Sequence, residues 1–312
     1  MHDILNGLLD YVILGLTRGS MYALIALGYT LVYGVLQLIN FAHSEVFMSG
    51  AFGSYLIISM FVDDGATPPW YGVAALVLLG LLSGALVGAI VAFLLERVAY
   101  RPLRKRGAPK LAFLISAIGA SFFLSQLAGK LFNRLNNNNF PTYFDVNKTV
   151  LKLGGASVSL IQAILMVSAV IMMIFLDTLV SKTKLGRSIR GVAEDAPTAA
   201  LMGIDIDKTI SRTFIIGGAL GGAAGFLFGT AFVFSNTMGF QPGIKAFAAA
   251  VLGGIGNIRG AVAGAFLIAF VENFMASYFS PAFQDAYVFA ILIIVLLVKP
   301  GGLFGSVTRE KV

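Results

Sequence analysis

The stretch Asn40-Phe41-Ala42-His43-Ser44-Glu45 places an amide, an imidazole and a carboxylate between two apolar runs, residues 20–39 and 46–62. As helices, runs of about 20 residues cross the roughly 30 Å hydrocarbon core of a membrane. Ionisable side chains are costly to keep at such a place, so they usually face a path or an internal partner. We therefore expect this stretch to lie at a break between two membrane helices, where it lines or gates a path.

The composition of the 312-residue chain sets its class. Hydrophobic residues make up 58% and charged residues only 12%, and the mean hydropathy of +0.88 lies outside the range of soluble domains. The 36 glycines favour closely packed helices, and no segment has the alternating pattern of a membrane β-barrel. We predict an all-α integral membrane protein.

Apolar runs predict a polytopic helical bundle of about eight to ten transmembrane segments, built as one domain over residues 1–312. The runs are residues 4–16, 20–39, 46–62, 72–95, 111–128, 157–180, 209–233, 244–258, 261–279 and 286–298. The first run is short and residues 244–258 are rich in glycine, so the expected number starts at eight.

Basic residues in two loops predict the orientation. Lysine and arginine collect at residues 97–110 and 182–190, and an excess of these residues is typical of cytoplasmic loops. Lys299, Arg309 and Lys311 place the C-terminus on the same side, so ten crossings would leave both termini in the cytoplasm. The net charge of +7 lies mainly in such loops, which favours contact with membrane lipid and not with nucleic acid.

Two glycine ridges indicate close helix packing, and the motifs of phosphate, metal and thiol sites are missing from the sequence. Gly80, Gly84 and Gly88, and the later ridge at residues 217–229, favour close helix packing within the chain; contact with a partner subunit is the alternative. The glycine-rich stretches lack the Gly-Lys-Ser/Thr ending that cradles phosphates, two histidines are too few for a histidine-rich metal site, and there is no cysteine. We expect no enzyme activity, no metal site and no cofactor.

Ionisable residues inside or at the ends of apolar runs are the candidates for function. Asn40, His43, Glu45 and Lys245 are the predicted translocation-path or gate residues, and Lys245 and Glu45 have opposite charges that could pair. A buried structural network is the alternative for His43 and Glu45, and an interhelical hydrogen bond is the alternative for Glu272. Ion-coupled transporters use the same residue types, so these residues leave the energy source open.

A polar loop at residues 181–208 predicts a short amphipathic helix on the cytoplasmic side. Glu194 and Asp195 precede Pro197 as signals for a helix start, and Gly203 follows as a stop. The loop resembles the ATPase-docking loop of permease subunits of bacterial ABC importers, whose helix is of the type Glu-Ala-Ala followed by glycine. Ala199, Ala200 and Gly203 match, while the leading glutamate is displaced to Glu194 and the trailing proline is absent. The resemblance implies ATPase coupling for Glu194, Asp195, Ala199, Ala200 and Gly203.

Other stretches resemble the branched-chain amino acid permeases of this class, in the order of their H-type subunit. They are Asn40-Phe41-Ala42-His43, Glu45, Gly50-Ala51-Phe52, Glu96-Arg97-Val98-Ala99-Tyr100-Arg101-Pro102-Leu103-Arg104, Ser116-Ala117-Ile118-Gly119, the run from Lys245 to Asn257, and Lys299-Pro300-Gly301-Gly302-Leu303-Phe304-Gly305. One departure is Ser44, where the family pattern has glycine.

The resemblance implies a bacterial inner-membrane permease that imports leucine, isoleucine and valine by alternating access. It also implies a heterodimer with a related M-type permease, two cytoplasmic ATPase subunits and a periplasmic substrate-binding protein. A urea or short-amide permease of the same class stays open, as does an ion-coupled secondary transporter. Residues 41–56 and 242–252 each place a polar break before a small-residue apolar run, which indicates a possible inverted repeat.

Overall fold

The computed structural model describes residues 2–38, 40–63, 68–132, 145, 148–153, 156–232 and 234–305, with side chains from residue 9 onward. The helices are α1 His2–Leu36, α2 His43–Ile58, α3 Trp70–Leu95, α4 Arg101–Lys105, α5 Lys110–Leu131, α6 Leu160–Lys182, α7 Lys184–Glu194, α8 Ala196–Leu201, α9 Ile206–Ala231, α10 Phe240–Gly253, α11 Ile258–Tyr278 and α12 Gln284–Val298. A π-helical turn, Glu96–Tyr100, joins α3 to α4, and a 3-10 turn, Pro281–Phe283, precedes α12. Strands β1 Thr149–Leu153 and β2 Ala156–Ser159 pair antiparallel between α5 and α6.

Helix α1 is continuous over 35 residues and joins the first two predicted segments. The polar residues between those runs stay inside the helix because each finds a partner there. The Thr17 hydroxyl donates to the carbonyl of Ile13 at 2.8 Å, and Arg18 lies 3.7 Å from the Glu272 carboxylate. The prediction of two separate segments at residues 4–16 and 20–39 is therefore wrong.

Seven segments in the described part of the chain are long and apolar enough to cross a membrane. Helices α2 and α10 are shorter, at 16 and 14 residues. Their lengths of about 24 and 21 Å fall below the roughly 30 Å hydrocarbon core. The all-α polytopic bundle is confirmed. The seven spans of the described residues are fewer than the predicted eight to ten, because residues 4–16 and 20–39 form one helix and α2 and α10 are short.

The two described ends of the chain lie at opposite ends of the bundle. The ring of Tyr11 in α1 lies 6.2 Å from that of Tyr278, where α11 ends. The amide of Phe304 donates to the carbonyl of Gly253, just before α11 begins. Because α11 spans 21 residues, or about 31 Å, these positions are one helix length apart. Ten separate segments would bring both termini to one side, whereas the continuous α1 removes one of the predicted crossings.

Helices α3 and α9 pack through their glycine ridges. A Cβ atom on Gly84 would lie 2.6 Å from the carbonyl oxygen of Gly222, and one on Gly218 would lie 2.5 Å from the carbonyl oxygen of Gly88. Two helix backbones approach this closely only where side chains are absent. The ridges therefore form a contact within the subunit, which was the first of the two interpretations.

The β1–β2 hairpin packs against the first half of α1. Ala156 and Val158 of β2 form a small buried cluster with Ile13. The hairpin therefore lies towards the end of the bundle where α1 begins. The run of four asparagines at residues 136–139 is typical of a flexible surface loop by its composition, and it lies outside the described residues.

Candidate functional site

The opening polar stretch lies at a break between helices, as predicted. Helix α1 ends at Leu36 and α2 begins at His43. The Asn40 side-chain oxygen accepts from the amide of Ala42 at 3.1 Å and from the hydroxyl of Tyr100 at 3.0 Å. Asn40 is buried, so its side chain fixes the shape of the break and ties it to the π-helical turn.

His43 points away from Glu45 into a slot between α1 and α9. A Cβ atom on Gly28 would overlap the His43 ring, and one on Gly221 would lie 3.1 Å from its Cε1. The ring of Tyr29 covers it at a centroid distance of 4.8 Å. His43 thus fills the space left by two glycines, and its buried Nε2 has no hydrogen-bond partner among the described residues.

A cavity of about 560 Å³ lies beside the start of α2. Its lining residues come from α1, α2, α5, α10 and the segment before α10: Tyr29, Phe41, Ser44, Glu45, Ile118, Ser121, Phe122, Ser125, Gln126, Thr237, Phe240, Gln241 and Ile244. Phe122 and Phe240 are 66% and 54% exposed, so the cavity opens to one side of the chain. It combines mostly apolar walls with a few polar groups, which is typical of small-molecule sites of this volume.

Glu45 is the carboxylate of this cavity. Its side chain is buried, and Oε1 accepts from the hydroxyls of Ser121 at 3.1 Å and Ser44 at 3.4 Å. Oε2 has no hydrogen-bond partner, and no cationic side chain of the described residues forms an ion pair with Glu45. A buried carboxylate oxygen without a partner is costly, so Oε2 is an unsatisfied polar atom beside the cavity.

The short helices α2 and α10 both begin at the cavity. Their starts touch each other: a Cβ atom on Gly243 would lie 2.7 Å from the Cβ of Ser44. Phe41 and Ser44 line the cavity at one helix start, and Phe240 and Gln241 line it at the other. No side chain caps either start. The first amide groups of a helix carry partial positive charge, so two such ends meet at this cavity.

Lys245 does not pair with Glu45, which corrects the sequence prediction. Its ammonium lies 2.9 Å from Glu272 Oε1 and 2.8 Å from Asp285 Oδ1. The hydroxyl of Tyr22 donates to the other oxygen of Glu272 at 2.7 Å. Ile244 lines the cavity, and its neighbour Lys245 is turned by about 100° around the helix towards α11 and α12. Lys245 therefore joins α10 to its neighbours in a buried ion network.

The predicted coupling segment forms two helices, α7 and α8. Asp195 is the N-cap of α8: it accepts from the Thr198 amide at 3.2 Å and also from the Thr198 hydroxyl. These hydrogen bonds lower the pKa of the Asp195 carboxyl below its usual value. Glu194 is the last residue of α7 and does not start α8, which corrects its predicted place. Gly203 ends the segment with a φ of +83°, as its role as a stop predicts.

The outer surface of α8 is apolar. Ala199 is buried, whereas Ala200 and the two residues after it face outward. Leu201 and Met202 are 88% and 79% exposed. Large apolar side chains exposed at the end of a short helix are typical of a contact surface for another protein.

Polar contacts join this segment to the helix break. Arg104 bridges the carboxylates of Glu96 at 3.0 Å and Asp207 at 2.6 Å, and Asp207 lies in the first turn of α9. The Gln37 amide donates to the carbonyl of Ala193 in α7 at 3.1 Å. The coupling segment is thus linked directly to the α1 side of the break through Gln37, and Arg104 lies next to the π-helical turn whose Tyr100 bonds to Asn40.

Comparison with known proteins identifies the family. The model of the family described as "Branched-chain amino acid transport system / permease component" matches residues 11–296. The chain belongs to this family of transport permeases.

Curated members of this permease family match over nearly the whole chain. The permease protein LivH of the high-affinity branched-chain amino acid transport system of Escherichia coli (strain K12) is 39% identical, covering 96% of both chains. BraD of the corresponding Pseudomonas aeruginosa system is 40% identical, covering 97% of this chain and 98% of that one. A LivH of Methanocaldococcus jannaschii is 27% identical over 78% of this chain and 73% of its own length.

Part of this permease's polar architecture was missed by sequence reasoning. Arg101 and Arg104 were interpreted as topology signals and as part of a stretch that resembles the family, yet their pairing with Asp207 was not predicted. Asp285 was not singled out because it lies at the start of α12, where an acidic residue is common. The stretch 96–104 stood out only by resemblance, and nothing in its spacing predicted the buried Glu96.

Proposed function

We propose that this chain is a transmembrane permease subunit of an ABC importer that moves branched-chain amino acids inward by alternating access. The observation that carries the proposal is identity of 39–40% over nearly the full length to LivH and BraD, whose names give branched-chain amino acid transport. The cavity supports it, because its Phe and Ile walls suit an apolar side chain.

In this proposal the cavity beside Glu45 is this subunit's part of the translocation path. Asn40 shapes the helix break at its edge, and His43 holds the start of α2 against α9. Lys245 acts at a distance by fixing α10, because its ammonium is used by Glu272 and Asp285.

Partners complete the proposed importer. The open side of the cavity, at Phe122 and Phe240, faces a related M-type permease in a heterodimer. Two cytoplasmic ATPase subunits dock on α8, with Leu201 and Met202 as the apolar contact. A periplasmic binding protein delivers the amino acid at the other end of the bundle.

The orientation follows from this assignment. Basic residues gather at the end of α3 and along α7, so these elements lie in the cytoplasm. The start of α1 lies beside the C-terminal end of α11, at Tyr278. The N-terminus of α1 and the β1–β2 hairpin therefore lie on the periplasmic side. The C-terminal segment, beside the start of α11, lies on the cytoplasmic side in this proposal.

Movement of α8 is transmitted through hydrogen bonds and ion pairs. ATP-driven closure of the ATPases displaces α7 and α8 together with the start of α9. Asp207 then moves Arg104, and Ala193 moves Gln37. Gln37 lies at the α1–α2 break, and Arg104 follows the π-helical turn whose Tyr100 hydroxyl donates to Asn40 in the break. The cavity then opens to one side or the other as α2 shifts.

Co-purification tests the proposed assembly. We expect an ATPase subunit to co-purify with the wild-type chain and to be lost with Leu201→Glu, because the added carboxylate would be buried in the contact. Val150→Glu is the control, since Val150 is an exposed apolar residue on the hairpin at the other end of the bundle. Equal recovery of the ATPase with both variants would contradict docking on α8.

A further inference from the structure

We propose that the cavity beside Glu45 binds the zwitterionic head of an α-amino acid, with the ammonium on Glu45 and the carboxylate at the starts of α2 and α10. The inference deepens the proposed function, and rests on it, by assigning the chemical groups that recognise the cargo.

The ammonium position follows from the hydrogen bonds of Glu45. Two hydroxyls satisfy Oε1, while Oε2 is buried and has no partner. None of the described residues supplies a cation to this carboxylate. Lys245 on the neighbouring helix α10 pairs with Glu272 and Asp285 instead. A cation brought by the cargo would complete the site, because an ammonium donates up to three hydrogen bonds and compensates the buried charge.

The carboxylate position follows from the two helix starts. Both α2 and α10 are longer than three turns. Their first turns line the cavity through Ser44 in α2 and Gln241 in α10. Backbone carbonyls accept from several of the first amides, such as that of Asn40 from His43 and that of Gly239 from Gly243. The dipoles of both helices still favour an anion at this point. Glu45 lies in the first turn of α2, so both charged sites fall within one small region, as the adjoining ammonium and carboxylate of an amino acid require.

The remaining cavity walls suit the side chain of the cargo. Ile118, Phe122 and Ile244 present apolar surface. The hydroxyls of Ser44 and Ser121 lie on the side of Glu45. A neutral amide would leave the carboxylate uncompensated. The site therefore selects for an ammonium and a carboxylate on the same carbon, with an apolar side chain attached to it.

Protection of a single cysteine tests this assignment. The chain contains no cysteine, so Gln126→Cys places one reactive thiol at an exposed position on the cavity wall. The assembled complex is reacted with the neutral reagent methyl methanethiosulfonate, and modification of this chain is followed by mass spectrometry. The protecting compounds are leucine, 4-methylpentanoate, which lacks the ammonium, and 3-methylbutylamine, which lacks the carboxylate.

We expect leucine to protect at concentrations at least tenfold lower than either analogue. Glu45→Gln in the same background should weaken protection by leucine and by 3-methylbutylamine about tenfold and leave protection by 4-methylpentanoate unchanged. A merely structural role of Glu45 would weaken all three alike, and that result would overturn the proposal. Equal protection by leucine and 4-methylpentanoate in the wild-type background would overturn it as well.

The same preparation separates this inference from the proposed function. ATP-driven leucine uptake by the Gln126→Cys complex shows that the importer works. If uptake is present and leucine gives no protection, the binding site is wrong and the function stands. If uptake of leucine is absent from the wild-type complex, the proposed function itself fails.

Discussion

Replacing Gly222 by alanine should destabilise the bundle at the α3–α9 contact. A Cβ atom at Gly222 would overlap the carbonyl oxygen of Gly84 and lie 2.9 Å from the Cα of Gly88. Both neighbours are backbone, so no side chain can turn away, and the helices would have to separate by roughly 1 Å to regain ordinary contact. Overpacking costs about 1–3 kcal/mol, and rigid neighbours favour the upper end. Alanine recovers about 1 kcal/mol of helix propensity, which leaves a net loss of about 2 kcal/mol.

The free energy of unfolding measured by SDS titration in mixed micelles, with circular dichroism as the signal, checks this value. Gly119→Ala is the matched control, because Gly119 lies within α5 and a Cβ atom there would meet nothing within 4 Å. We expect the control to be unchanged or slightly more stable. If Gly222→Ala were as stable as Gly119→Ala, the close packing of α3 on α9 would be refuted.

Three further predictions concern the other parts of the account. Lys245→Met should lower the free energy of unfolding by about 2–3 kcal/mol, below the full cost of an uncompensated buried charge, because Glu272 loses its ammonium but keeps Arg18 at 3.7 Å; the same titration measures it, and a loss below 1 kcal/mol would argue against the ion network. Gly203→Val should reduce substrate-stimulated ATPase activity while Gly203→Asn keeps most of it, since asparagine adopts a φ of +83° more readily than valine. Equal activity of the two variants would contradict a requirement for this backbone conformation. Cysteines introduced at Asp10 and at Lys105 should react with membrane-impermeant reagents from opposite sides of the membrane, and labelling from one side would contradict the arrangement of α1.

The fold class followed from sequence because apolar runs and basic loops report directly on lipid and topology. The number of crossings did not, since whether Thr17 and Arg18 break a helix depends on partners 4 and more than 250 residues away. A turn signal is local, whereas the Arg18–Glu272 pair exists only after α1 has packed on α11.

The candidate site was predicted in part. The break at Asn40 and the carboxylate of Glu45 could be found from the cost of polar groups in apolar runs. The partner of Lys245 could not, because opposite charge alone does not say which way a side chain on α10 points. Asp195 and Gly203 were found from capping patterns, whereas the bridge from Arg104 to Asp207 joins positions 103 residues apart and has no local signal.

The most direct test is uptake of labelled leucine into proteoliposomes that contain this chain with its co-purifying permease and ATPase subunits and the binding protein. The account predicts uptake that requires ATP, is inhibited by excess isoleucine and valine, and is unaffected by excess urea. Uptake by the chain alone under a proton gradient, or ATP-driven uptake that urea abolishes, would contradict it.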